Sequence, residues 1–260
     1  MPTLHANGID IHYRVEGSGP WVTLSHALTT DLSLWDALAT ALTERFTVLR
    51  YDTRGHGATS APPPPYDFET LTGDLLGLLN ALGVERTHFV GLSMGGMIGQ
   101  HFALAAPRRL NRLVVANSTS RVAPETAAVW QQRIDQAQAE GTAALAPATL
   151  ERWFTAPYRA SRPDIMDRIT RLIGATPVAG YVGCAEAIRR LDITGRLGAV
   201  TAPTLVLVGA DDPGTPPAVS RVIADAIPGT RLEILPSASH LSCIEQETVF
   251  NRLVAEFLSA

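Results

Sequence analysis

The chain has 260 residues, is 46% hydrophobic and 18% charged, and carries a formal net charge of −4. That length and apolar content suit one ordinary α/β domain with a sizeable core, and the mixed, slightly negative charge excludes a nucleic-acid footprint and a polybasic membrane patch. All 21 basic residues are arginine, which rules out a Schiff-base lysine, a lysine general base and a phosphate-loop lysine.

The N-terminal "MPTLHANGIDIHYRVEG" alternates apolar and polar residues and has no basic head followed by an apolar run. No signal peptide or membrane span is expected. "IDIHYRV", "WVTLS" and "FTVLRYD" read as strands, and residues 35 to 44, between the last two, carry helical spacing. "FETLTGDLLGLLNALG" spaces leucines three and four apart and stops at Gly83. "THFVGLS" follows as strand, Met94 to Ala105 as helix, and "LNRLVVANS" as strand. Such alternation predicts a mostly parallel sheet covered by helices on both faces.

From Pro124 to Arg190 the pattern changes to four helical segments with no strand between them. Strands resume at "APTLVLVGADD" and "TRLEILPSASH", and "EQETVFNRLVAEFLSA" closes the chain as a helix. The expected organisation is a core domain of residues 1–120 and 195–260, with residues 121–194 inserted as a helical cap. Cys184 and Cys243 are widely separated, match no metal-ligand spacing and fit idle thiols in a reducing cytoplasm. No His, Asp and Glu cluster has metal spacing, so no metal and no other cofactor is expected.

Gly91-Leu92-Ser93-Met94-Gly95 is G-x-S-x-G, placed between a strand and a helix as that motif requires. A nucleophile raised on a sharp strand-to-helix turn needs strained backbone angles and small flanking residues. Its hydroxyl also needs a base. In this arrangement acid and histidine follow the serine in the chain. Of seven histidines only His101 and His240 do so, and His101, eight residues along the same helix, lies roughly 12 Å away. His240, in the loop "SASHLS", is the predicted base. The loop "GADDPGTPP" offers Asp211 and Asp212 as the acid that orients it. The spacing Gly209-x-x-Asp212, with Pro216 four residues on, favours Asp212. The other place for an acid, after "LVVANS", holds no carboxylate. The oxyanion hole is assigned to the N–H groups of Leu28 and Met94. His26 and His56 are read as structural, shaping the turns "SHALTTDLSLW" and "DTRGHG".

With Ser93, Asp212 and His240 placed, the chain resembles the α/β-hydrolase superfamily over essentially its whole length, and within it the 3-oxoadipate enol-lactonases. The shared strings are "LRYDTRGHG", "LTGDLLGLL", "GLSMGGMIGQ", "RWFTAPY", "GCAEAIRRLDI" and "SHLSCIE". Where those lactonases read Asn-Ser-Leu-Gly-Thr in the oxyanion loop, this chain has His26-Ala27-Leu28-Thr29-Thr30, so Thr29 stands in place of a glycine. The resemblance implies a cofactor-free hydrolase of a carboxylate-bearing enol-lactone from aromatic catabolism, by the β-ketoadipate pathway. Such a substrate needs a cation or N–H donors for its carboxylate. Arg152 beside Trp153 is the candidate, with Arg121 at the cap entrance as the second. A broader carboxylesterase, with perhydrolysis as a side activity, is the alternative reading, and a non-catalytic ligand receptor is the third. The expected partner is a small ester or lactone, with no nucleic acid, no membrane and no assigned oligomeric state.

Overall fold

The computed structural model describes residues 2–260. Eight strands form one sheet: β1 (Thr3–Ala6), β2 (Ile9–Gly17), β3 (Trp21–Ser25), β4 (Thr47–Tyr51), β5 (Thr87–Leu92), β6 (Leu110–Ala116), β7 (Thr204–Gly209) and β8 (Arg231–Leu235). Their spatial order is β1-β2-β4-β3-β5-β6-β7-β8. β2 runs antiparallel to both its neighbours, β1 and β4, and the pairings from β4 through β8 are all parallel. Every residue of β5 and β7 is buried, as expected of central parallel strands covered on both faces. The first two strands form a hairpin, with Asn7 at φ 49° and Gly8 at φ 77° in its turn. Asn-Gly is the residue pair that adopts such a turn most readily, because both central positions need positive φ.

Helices α1 (Asp36–Leu42), α2 (Phe68–Ala81), α3 (Met94–Ala105), α9 (Pro217–Ala226), α10 (Ser242–Glu245) and α11 (Glu247–Ser259) accompany the sheet. α3 lies against β5 and β6 and is buried along almost its whole length. Gly99 makes that approach possible, since a Cβ there would stand 2.8 Å from the Phe89 ring.

Between β6 and β7 the chain forms α4 (Ala127–Glu140), α5 (Ala146–Trp153), α6 (Ala156–Ser161), α7 (Pro163–Ala175) and α8 (Val178–Arg189). Five helices therefore stand where four are expected. The additional one, α6, is a short turn opened by Pro157 in its first turn and closed before Pro163. Pro is pre-organised for the first turn of a helix and unsuited to its interior. The insertion packs closely on the core at Gly180, where a Cβ would meet the Gly55 carbonyl at 2.0 Å.

The strand order reverses about β3, which leaves a crevice at the carboxyl ends of the parallel strands. Register brings the relevant loops together. Ser25 pairs with Gly91, Leu92 with Ala116, Ala116 with Leu207, and Gly209 with Leu235. Ser93, Asn117, Asp212 and His240 thus leave the ends of four consecutive strands, with Leu28 on the loop of the fifth.

Candidate active site

Ser93 joins β5 to α3 with φ 56° and ψ −115°, a conformation that L side chains rarely adopt and that its surroundings must hold. Its N–H donates to the Ala116 carbonyl at 2.8 Å, and its own carbonyl accepts from Ser118 Oγ at 2.8 Å. The turn is too tight for side chains at its flanks. A Cβ on Gly91 would lie 2.1 Å from the Gly95 carbonyl oxygen, and one on Gly95 the same distance from that of Ser25. This is the steric reason for the two glycines about the serine.

His240 Nε2 lies 2.9 Å from Ser93 Oγ, and its Nδ1 lies 2.8 Å from Asp212 Oδ2. The structure places Asp212, not Asp211, against the imidazole. Asp212 is buried, and it accepts from four further donors: Gly214 N–H and Thr215 N–H on Oδ1, Thr215 Oγ1 and Asn117 Nδ2 on Oδ2. Burial pushes its pKa up, but the charge and hydrogen bond of His240, with the Asn117 and Thr215 hydrogen bonds, outweigh that. The carboxyl is held far below the usual range. An ionised acid so placed fixes the ring orientation and favours the imidazolium.

Asn117 takes up the position after β6 where the sequence shows no acid. Held at φ 44°, it donates to Asp212 and to the Ser239 carbonyl at 3.1 Å, and its Oδ1 accepts from Ser242 Oγ at 2.5 Å. Neither Asn117 nor Thr215 was anticipated. The signal for Asn117 was its place at a strand end, and for Thr215 its spacing of three from the acid.

The Leu28 loop is fixed from behind. The Ala27 carbonyl accepts from Thr30 N–H, Thr30 Oγ1 and His26 Nδ1 at 3.2, 2.9 and 2.8 Å. A trans peptide directs its N–H opposite its C=O, so these bonds set the direction of the Leu28 N–H. His26 Nε2 in turn accepts from Thr53 N–H at 2.9 Å. That pattern requires the neutral ring protonated on Nδ1, and burial lowers the His26 pKa accordingly. Thr29 sits at φ 60° with its hydroxyl donating to the Leu28 carbonyl at 2.7 Å, the backbone conformation a glycine would take without strain. Met94 is the first residue of α3, where helix N–H groups have no intrahelical acceptor.

A cavity of about 370 Å³ is lined by Ser93, His240, Leu28 and Thr29. The insertion contributes Trp130, Arg133, Arg152, Trp153 and Tyr181 to its walls, Arg121 joins them, and the core adds Pro213, Gly214 and Thr215. The Trp153 ring stacks on that of His240 with centroids 6.0 Å apart. Arg152 donates to Thr149 Oγ1 at 3.0 Å, and Arg133 lies over the Trp130 ring at 5.0 Å. Among the described residues neither arginine has a carboxylate within ion-pair distance. Burial, and next the charge of Arg133, lowers Arg152 to about 10, and burial lowers Arg133 as well. Arg121 differs. It is largely exposed and lies 3.7 Å from Asp192. Arg133 and Tyr181 were not anticipated, although the i, i+3 spacing of Trp130 and Arg133 sets them on one helix face.

Among the described residues no group of three or more His, Cys, Asp or Glu could hold a metal ion, and no helix is long and apolar enough to cross a membrane.

Residues 20–247 match the family model described as the alpha/beta hydrolase fold. A 3-oxoadipate enol-lactonase of Acinetobacter baylyi is 34% identical, over 97% of this chain and 94% of that protein. A putative carbamate hydrolase of Stutzerimonas stutzeri is 30% identical over 96% of each. The crystal structure of the enol-lactonase from Burkholderia xenovorans LB400 superposes with a TM-score of 0.96, at 41% identity and over the whole of both chains. The chain belongs to the α/β-hydrolase family and is similar throughout its length to enol-lactonases.

Proposed function

We propose that the protein is a serine hydrolase that opens a carboxylate-bearing enol-lactone through an acyl-enzyme. The observation that carries this reading is one cavity lined both by the Ser93–His240 pair and by Arg133 and Arg152, two arginines without acidic partners.

Ser93 Oγ attacks the lactone carbonyl while His240 Nε2 takes its proton, and Asp212 stabilises the imidazolium. The N–H groups of Leu28 and Met94 receive the oxyanion. Collapse breaks the ring C–O bond. The resonance-stabilised enolate is a good leaving group that departs with little general-acid assistance, then takes the proton from His240 and tautomerises to the ketone. Water then attacks the ester with His240 as base, releasing a carboxylate and restoring the serine. Arg152, joined by Arg133, holds the carboxylate that the substrate brings. Segment 121–194 acts as the cap that encloses this site. The reading carries with it a place in aromatic catabolism, and the two buried free thiols, Cys184 and Cys243, are consistent with a cytoplasmic setting.

The test is loss of the ultraviolet absorbance of 3-oxoadipate enol-lactone, generated in situ, with wild-type and Ser93→Ala protein. Rapid loss with wild type alone is expected. Turnover of p-nitrophenyl acetate without turnover of the lactone would move the substrate to simple esters.

A further inference from the structure

The two residues flanking His240 are both tied to the insertion. Leu241 N–H donates to the Trp153 carbonyl at 3.1 Å, and Ser239 Oγ donates to the Arg152 carbonyl at 2.9 Å. One side chain closes this seam. Glu245, at the end of α10, accepts from Thr155 N–H and Thr155 Oγ1 on Oε1, both at 2.8 Å, and from Ser239 N–H on Oε2. One oxygen therefore holds the insertion and the other holds the residue next to His240. Glu245 has no cation within ion-pair distance among the described residues. Its charge is met by these N–H and hydroxyl donors, which makes it a strong acceptor for each. It lines an outer groove on the other side of the seam and is not among the residues lining the cavity that holds Ser93.

We propose that Glu245 is a positioning residue that couples the insertion to His240, setting the imidazole against Ser93 and the Arg152–Trp153 end of α5 against the imidazole. This rests on the reading of Ser93 and His240 given above. The chemistry requires a carboxylate. A glutamine offers one oxygen, so its NH2 must face the N–H of either Thr155 or Ser239, and one side of the tie is lost in either orientation. An alanine loses both. Displacements on the order of 1 Å at a reacting group cost up to about 100-fold in rate.

The experiment measures the rate at which a fluorophosphonate labels the serine, since that reagent needs Ser93 and His240 but not the arginine wall. It is paired with kcat and KM for p-nitrophenyl acetate and with thermal melting. Glu245→Gln is expected to label about 10-fold more slowly and Glu245→Ala about 100-fold more slowly, with kcat falling and KM for the uncharged ester within about twofold. A merely structural glutamate would lower the melting temperature while the folded protein labelled at the wild-type rate, and that result overturns the proposal. Thr155→Val, which removes only the hydroxyl donor, provides the milder step. It is expected to label about threefold more slowly, and a wild-type rate there is equally contrary. Absence of labelling in wild type, or labelling of Ser93→Ala, would instead remove the reading of the serine on which the proposal stands.

Discussion

The sheet and the insertion furnish their shares of the cavity wall on opposite principles. On the sheet every group is over-determined. Asp212 accepts five hydrogen bonds, the Ala27 carbonyl three, and Ser93 is pinned through both its N–H and its carbonyl. In the insertion Arg152 has one hydroxyl as its hydrogen-bond partner, Arg133 has an aromatic face, and the charges of both act on Tyr181. The first arrangement suits groups that must not move when charge develops. The second leaves cations without a carboxylate partner. On the proposed reading the sheet carries the chemistry and the insertion the choice of substrate.

The widest gap between the two regions should appear on removing the nucleophile. Ser93→Ala is expected to lower kcat for every ester and lactone by about 10⁵-fold or more, read from lactone absorbance and from p-nitrophenyl acetate alike. A loss confined to one substrate would break the comparison. Asp212→Asn should follow at about 10⁴-fold, again for all substrates, because an amide cannot hold the imidazole in the required tautomer. Steady-state rates with the two substrates check it.

Arg152→Met and Arg133→Met should behave differently. Each is expected to reduce kcat/KM for the carboxylate-bearing lactone by about 10- to 100-fold, the worth of a hydrogen-bonded charge. p-Nitrophenyl acetate should remain within about threefold. Equal losses on both substrates would show that these arginines support the fold and not the substrate.

The smallest effect concerns stability. Burial, with the charge of His26 next, pushes His56 down to about 3 in the folded chain, from an ordinary 6.5. Between those values the unfolded chain binds the proton and the folded chain does not, so stability falls as pH drops below about 6.5. The slope is about 1.4 kcal/mol per pH unit for one such histidine. Urea midpoints at pH 7.5, 6 and 5 should fall in that order, and His56→Gln should make the trend shallower by one histidine's share, since burial also lowers His26, His88 and His101.

How much was legible beforehand follows the same division. A strand, a turn of glycines and a helix are local, so the position of Ser93 could be read directly, and chain order then led to Asp212 and His240. The parallel sheet was legible from alternation, although the Asn7–Gly8 turn that folds β1 onto β2 passed unread despite its residue pair. The insertion was less legible because its helices are chosen by packing. α6 arises from Pro157 and Pro163 around a six-residue turn, and nothing local in the sequence sets Arg133 apart as a residue of the cavity wall. Asn117 was overlooked for a related reason. The position was inspected for a carboxylate, whereas its contribution is an amide donor to a carboxylate 95 residues further along the chain. Pairings of that range are set by strand register.

The most direct measurement compares kcat/KM for the enol-lactone with that for its methyl ester, in wild type and in the Arg133→Met/Arg152→Met double variant. The account predicts that wild type prefers the free carboxylate by about 100-fold or more, and that the double variant loses this preference while still cleaving p-nitrophenyl acetate at nearly the wild-type rate. An undiminished preference in the double variant would contradict the assignment of substrate choice to the insertion.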